Sequence, residues 1–257
     1  MTIERGVLMD VLSLDMGGVV YSFTEEKGVS VGRDFTPEDG TRNDELFERS
    51  TRELCKKLYG QVGLDILEAH PPFQFDLERR IVDDILEGKD APMGIKLNMD
   101  AAEMIRYIAE LNCLEDKHGS YKDLGRRIKP IIVSSSKATT SQMILRKCLD
   151  EFRKIENQTS HRRYYIEIYY RGLGTDIPIY DMSDFGSKKN PEAWRTVFRK
   201  AVAGRYIGSV WNIEGAINTI IEDNPEKLEA ALEGAKKKGD RAQGYRSVNE
   251  YMRDLKR

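Results

Sequence analysis

Four short polar segments of this chain carry side chains that could do chemistry, and each lies near the end of a predicted strand or in a loop between elements. Asp15 directly follows an apolar run at residues 11–14 and is followed by Gly17 and Gly18. The other three segments are the serine run Ser134-Ser135-Ser136, the lysine pair Lys188-Lys189 and the acidic pair Glu222-Asp223. Because ligands of an open α/β sheet bind beyond the carboxyl ends of its strands, these four segments could meet in one crevice.

Each segment has a use in chemistry on a phosphoryl group. The Asp15 carboxylate can attack phosphorus and form an aspartyl phosphate, which divides one difficult displacement into two easier ones. Asp15 and Asp223 could bind Mg²⁺, with Glu222 as a third ligand that acts directly or through water. The Ser134 hydroxyl can donate to a phosphate oxygen, and a lysine ammonium offsets the accumulated negative charge.

Taken singly, each segment also has a simpler interpretation. A serine run is typical of a helix cap, and a lysine pair is typical of a solvated surface. An acidic pair before Pro225 is typical of a helix N-terminus, where negative charge is favourable. The order of the four segments and their placement near predicted strand ends are what favour a common site.

The elements that must position these residues alternate between strand and helix from residue 129 onward. Runs of apolar or β-forming residues predict strands at residues 11–14, 130–133, 164–170 and 217–221, and a further short strand is expected at residues 241–245. Helical patterns lie at residues 140–155, 192–203, 226–238 and 248–256. This alternation predicts an α/β fold, a doubly wound parallel sheet with right-handed crossovers and helices on both faces.

The segment from residue 22 to residue 128 shows a different pattern, with helical periodicity and little that indicates strand. Helices are predicted at residues 44–59, 64–70, 76–86 and 101–111, and residues 113–127 are expected to form an exposed polar excursion. The sequence therefore predicts a mainly helical insertion between the first strand and the rest of the sheet.

Composition narrows the classes of partner. The 257 residues carry 41 Lys and Arg against 43 Asp and Glu, a formal net charge of −2, so neither nucleic acid nor an anionic membrane is expected as a partner. No apolar run is long enough to span a bilayer, and residues 1–6 lack the apolar core of a signal peptide. The three cysteines are scattered, which favours a reducing, cytoplasmic environment.

The ordered set of segments resembles the haloacid-dehalogenase-like (HAD) hydrolase superfamily, over residues 7–23 and 129–256. The resemblance implies that Asp15 is the nucleophile and a metal ligand, and that Ser134 binds phosphate. The family lysine would be Lys188 or Lys189, and the spacing to Pro191 favours Lys188.

The same resemblance implies the remaining parts of the site and the domain division. Glu222, Asp223 and the Gly17 carbonyl would hold Mg²⁺, and Gly18 and Ser135 would contact substrate. Residues 1–21 and 129–257 would form the Rossmann-like core, and residues 22–128 an inserted helical cap.

One departure from the family pattern concerns proton transfer. Most phosphatases of this superfamily carry a second Asp two residues after the nucleophile, where this chain has Gly17. The expected function is a Mg²⁺-dependent phosphatase acting on a small phosphorylated metabolite through Asp15. Gly17 leaves two alternatives open: a 2-haloacid dehalogenase, which Glu222 and Asp223 argue against, and a weakly catalytic phospho-ligand-binding protein.

Overall fold

The computed structural model describes residues 8–118, 126–157, 177–203, 217–236 and 241–256. The strands of these ranges are β1 (Leu8–Leu14), β2 (Tyr21–Thr24), β3 (Gly28–Gly32), β4 (Gly94–Asn98), β5 (Arg126–Ser134), β6 (Ile179–Asp181), β7 (Ile217–Ile221) and β8 (Arg241–Tyr245). The α-helices are α1 (Pro37–Ala69), α2 (Phe73–Leu86), α3 (Met99–His118), α4 (Ala138–Asn157), α5 (Pro191–Ala203), α6 (Pro225–Ala235) and α7 (Val248–Leu255).

Five of the strands form a parallel sheet in the order β6-β5-β1-β7-β8. The apolar runs alternate between its two faces, as strands buried on both sides require. Val11 and Ile131 belong to one buried cluster, and their chain neighbours Leu12 and Ile132 belong to the other. The predicted α/β class and the parallel sheet are confirmed, and the strand order is compatible with a Rossmann-like core.

Helices cover both faces of this sheet. On one face, Trp194 and Val197 of α5 and Ala231 of α6 pack in the cluster that contains Val11. On the other face, α3, α4 and α7 contribute to the cluster that contains Leu12. The predicted helices at residues 140–155, 192–203 and 248–256 correspond to α4, α5 and α7.

A second, three-stranded sheet was not predicted. Its order is β2-β4-β3, with β4 antiparallel to β2 and parallel to β3. These strands are only four or five residues long, and pairs such as Phe23 with Ile95 join residues far apart in sequence. Such short strands form through long-range pairing and show little periodicity of their own. Residues 22–128 are therefore not purely helical, and their division into a cap stays a prediction.

The helices of the same segment follow the predicted pattern with two differences. The predicted helices at 44–59 and 64–70 form one element, α1, which is interrupted at Gly60, where φ is +62°. The predicted polar excursion at 113–127 is wrong for residues 113–118, because these continue α3. None of the helices in the described ranges has the length and apolar character that a membrane span requires.

The two sheets share one continuous buried cluster. Leu14 of β1, Ile81 of α2, Ile95 of β4 and Ile144 of α4 all belong to it. The α1–α2 segment is thus packed against the same core as the main sheet. No strand was predicted where β6 lies, and the predicted strand at residues 164–170 lies outside the described residues.

Candidate active site

Asp15 stands at the carboxyl end of the central strand β1. Its amide donates a hydrogen bond of 3.0 Å to the Ile221 carbonyl, which keeps the chain beside β7 just past the end of the strand. The strand order places β5 on one side of β1 and β7 on the other, although the chain reaches them at very different points. A crevice opens at such a switch point, and Asp15 lies in it.

Three carboxylates converge at this position. Asp15, Glu222 and Asp223 each offer an oxygen, and these atoms all lie within 4.8 Å of one another. All three residues are buried, Glu222 completely. The parallel register of β1 with β7 brings them together, because Leu14 pairs with Ile221 and the next residues of both strands leave the sheet at one level.

Two glycines make room for the acidic cluster. Gly18 has a φ of +74°, and a Cβ added there would collide with the Asp223 carboxylate. A Cβ at Gly40, in the second turn of α1, would collide with the same carboxylate. The backbones of the β1–β2 turn and of α1 therefore both approach Asp223 as closely as the chain allows.

Lys188 is the buried cation of this site. Its Nζ lies 2.5 Å from Asp15 Oδ1 and 3.0 Å from Glu222 Oε2. The loop that carries it is held because Trp194 Nε1 donates to the Lys188 carbonyl over 2.7 Å. Lys189, the other predicted lysine, is exposed and pairs with Glu226 at 2.6 Å. The structure thus brings Lys188, and not Lys189, into the site.

The pKa values of the three carboxyl groups are shifted in different directions. Burial raises the pKa of Asp15, but the charges of Lys188 and Lys227 and the hydrogen bonds from Lys188 and Glu222 together outweigh burial and leave this pKa below its ordinary value. Burial, and after it the negative charge of Asp15, holds the pKa of Glu222 well above its ordinary value. The same two causes raise the pKa of Asp223 to about 6. The three carboxylates therefore bring together more negative charge than Lys188 offsets.

A cleft of about 640 Å³ opens onto Asp15 and Asp223. The serine run lines it, with Ser134 buried, Ser135 exposed and Ser136 partly exposed. The Ser134 hydroxyl oxygen accepts the Ser136 amide over 3.0 Å, which folds the run into a tight turn before α4. Backbone and hydroxyl groups of this turn face the same space as Asp15.

Two cations that the sequence analysis did not single out also line the cleft. Burial lowers the pKa of Lys227, but the negative charges of Asp15 and Glu222 outweigh burial and raise it to about 12. Arg246 donates from Nε to the Asp223 carbonyl over 2.8 Å. Lys227 lies in the first turn of α6 and Arg246 directly follows β8, and nothing in the sequence around either residue indicates a functional role.

The opposite wall of the cleft is formed by α1 and by aromatic rings of β2. Asn43 anchors this wall, since its Oδ1 accepts the Phe23 amide over 2.5 Å. The Phe23 and Phe47 rings stack with centroids 5.6 Å apart. Acidic side chains of α1 also line the wall, namely Glu38, Asp44, Glu45 and Glu48.

A buried carboxyl group lies behind the cleft. Glu78 of α2 accepts hydrogen bonds from the Tyr21 hydroxyl at 2.9 Å and from the Ser136 hydroxyl at 2.7 Å, both on Oε1. The sequence does contain a signal for it: Glu78 stands three and four residues before Ile81 and Val82, on the apolar face of α2. A carboxylate on that face must be buried with partners.

Comparison with known protein-family models, curated proteins and solved structures finds no match to this chain. The functional interpretation therefore rests on the residues and the geometry described above.

Proposed function

We propose that the protein is a Mg²⁺-dependent phosphatase of the HAD-like type that hydrolyses a small phosphorylated metabolite. One observation carries the proposal. The Asp15 carboxylate lies at the switch point of a parallel sheet, bound to the buried Lys188 ammonium and within reach of two further carboxylates. A nucleophilic carboxylate, a charge-offsetting lysine and an acidic metal cluster are the parts that aspartyl-phosphate chemistry needs.

The donor set fits a hard divalent cation. Carboxylate oxygens of Asp15, Glu222 and Asp223 would hold it, with the Gly17 carbonyl as a further oxygen donor. Burial, and after it the negative charge of Asp15, raises the pKa values of Glu222 and Asp223, and a divalent cation would offset that charge. When bound, Mg²⁺ would offset the charge on the transferring phosphoryl group.

The roles of the chain's own residues follow from their contacts. Asp15 Oδ1 accepts the Met16 amide at 2.6 Å and binds Lys188, so we assign the attack on phosphorus to Oδ2. Attack forms the Oδ2–phosphorus bond and breaks the bond to the leaving oxygen. Water then attacks phosphorus, which releases phosphate and restores the carboxylate. Ser134 and the turn that follows it would donate to phosphate oxygens.

The walls of the cleft bear on the choice of substrate. Lys227 and Arg246 face the phosphate end, whereas the α1 wall carries acidic side chains. A second anionic group on the substrate would meet those acids at close quarters. We therefore expect monophosphates with an uncharged or cationic leaving group to be better substrates than bisphosphates.

The test is hydrolysis of an aryl phosphate, with and without Mg²⁺, by the wild type and by Asp15→Asn. An aryl leaving group needs little protonation, so it tolerates the missing acid at Gly17. We expect Mg²⁺-dependent turnover that Asp15→Asn abolishes. Lys189→Met is the matched control, because that lysine lies outside the site, and it should keep wild-type turnover.

Three outcomes would contradict the proposal. Turnover that survives Asp15→Asn would remove the nucleophile from the mechanism. Metal-independent halide release from a 2-haloacid, without phosphatase activity, would favour the dehalogenase alternative, in which Glu222 and Asp223 would have no metal to bind. Tight binding of phosphate esters without turnover would favour a binding role.

A further inference from the structure

The proposed chemistry lacks a proton donor at the position where Gly17 stands. Loss of a general acid costs on the order of a hundredfold or more in rate when the leaving group is basic. Glu78, Ser136 and Tyr21 form a hydrogen-bonded group that the mechanism above does not use. Two of its members, Ser136 and Tyr21, line the cleft, and the third is buried behind them.

We propose that Glu78 supplies and takes back a proton for the reaction through the Ser136 hydroxyl. This proposal rests on the proposed phosphatase function and replaces the role that a second Asp would have had at Gly17. Ser136 is the member that can reach the substrate, because it is partly exposed in the cleft whereas Tyr21 is 2% exposed. Ser136 also donates its amide to the Ser134 hydroxyl oxygen, so it stands beside the predicted phosphate position.

The protonation state of Glu78 suits this task. Burial and, less strongly, the negative charge of Asp181 raise its pKa to about 7, although the hydrogen bonds from Ser136 and Tyr21 act in the opposite direction. Among the described residues, its other oxygen, Oε2, is buried and has no hydrogen-bond partner, as a fully ionised carboxylate would rarely tolerate. The group can therefore hold a proton near neutral pH and release it.

The proton movements balance in both half-reactions. As the bond from phosphorus to the leaving oxygen breaks, Ser136 donates its hydroxyl proton to that oxygen. In the resting site the Ser136 hydroxyl donates to Glu78 Oε1 over 2.7 Å; once this hydroxyl turns to the leaving oxygen, a proton on Glu78 Oε1 moves to Ser136 Oγ across the same contact, and Glu78 becomes a carboxylate. In the second half-reaction, the attacking water gives a proton to Ser136 Oγ, and the serine's own proton returns to Glu78.

Asp44 is the rival donor. It lines the cleft from α1, and burial in the cleft raises its pKa, although Lys227 acts in the opposite direction. Asp44 is exposed by side-chain area, and no hydrogen bond links it to the serine turn in the described structure. Glu78 is favoured because it is already bonded to a hydroxyl that faces the substrate.

The test compares leaving groups. Glu78→Gln, Ser136→Ala and Asp44→Asn are assayed beside the wild type on an aryl phosphate with a strongly acidic nitrophenol, on phenyl phosphate and on an alkyl phosphate. Glu78→Gln and Ser136→Ala should fall within a few-fold of the wild type on the nitrophenyl ester and lose about a hundredfold on the alkyl ester. The alkaline limb of the wild-type pH profile should be absent in Glu78→Gln.

The outcomes separate the two proposals. Equal losses on all three esters in Glu78→Gln would give Glu78 a structural role only and overturn the relay, while the phosphatase function stands. A leaving-group-dependent loss in Asp44→Asn alone would assign the proton to Asp44. Absence of Asp15-dependent turnover on every ester would overturn both.

A measurement that does not depend on turnover tests directly whether Glu78 holds a proton. The infrared carbonyl band of protonated carboxyl groups should be weaker near neutral pH in Glu78→Gln than in wild type, and the remaining band would come from groups such as Glu222. If the two spectra are identical, Glu78 holds no proton there, and the relay is overturned. If Glu78→Gln folds poorly, Ser136→Ala can still be used in the comparison of leaving groups, because it removes only one partly exposed hydroxyl.

Discussion

Lys188 and Lys189 are adjacent in sequence, but their replacement should lower the free energy of unfolding by very different amounts. Lys188→Met removes the cation bound to Asp15 and Glu222 and leaves buried carboxylates without compensation. Lys189→Met breaks a contact with Glu226 in which both side chains are more than half exposed. The pair offers the same chemical change at a buried and at an exposed position one residue apart.

The magnitude follows from burial. Removing one partner of a buried ion pair typically costs about 3–5 kcal/mol, and Lys188 is only 4% exposed. At a slope of about 3 kcal/mol per molar urea, the urea midpoint should fall by roughly 1–1.7 M. Lys189→Met should leave the midpoint unchanged, since exposed pairs contribute little.

The pH dependence adds a second criterion. Without Lys188, burial raises the folded-state pKa of Asp15 above its unfolded value. A carboxyl shifted in this direction contributes stability at low pH and loses it as the pH rises through the folded pKa. The deficit of Lys188→Met should therefore be larger at about pH 7.5 than at about pH 5. Equal midpoints for the two lysine variants, or a deficit that shrinks with rising pH, would refute this reasoning.

Three further predictions use the same unfolding assay. The pKa of Glu78 is about 7 against a usual 4.5, so the wild type should lose up to about 3 kcal/mol of stability as the pH rises from 4.5 to 7. Glu78→Gln should remove this dependence of stability on pH. Gly28→Ala should lower the free energy of unfolding by about 1 kcal/mol, and Gly18→Ala should lower it by more. Both glycines have positive φ, but only Gly18 lies against the acidic cluster. Trp194→Phe should cost about 1–3 kcal/mol, because the Lys188 carbonyl loses its donor.

Most of the strands and helices described after residue 126, β6 excepted, could be predicted because local pattern and tertiary structure agree there. Apolar runs of four or five residues became buried strands, and Pro191 and Pro225 begin helices as expected. The small sheet could not be predicted, since β2 and β4 pair across about seventy residues and each alone is too short to show a period. The small sheet is stabilised by packing against a core that cannot be recognised from the local sequence.

The candidate site was predictable in part for a related reason. Asp15, Glu222 and Asp223 directly follow strands, so topology alone brings them together. The choice between Lys188 and Lys189 depended on which side of a loop faces inward, and spacing only favoured the first. The role of Glu78 requires knowing that α2 packs behind the serine turn, and no local pattern contains that information.

The central position of β1 also has a consequence for how the chain is made. Leu8 pairs with Arg126 and Val11 with Asn218, so β1 is synthesised well before its partners, which lie more than one hundred and more than two hundred residues later. Non-local parallel pairing forms slowly, and an apolar strand with open edges is a template for aggregation. Asp15 can acquire its acidic neighbours only after most of the chain has left the ribosome. We therefore expect newly made chains to need chaperone protection to an extent that the stability of the finished fold would not suggest.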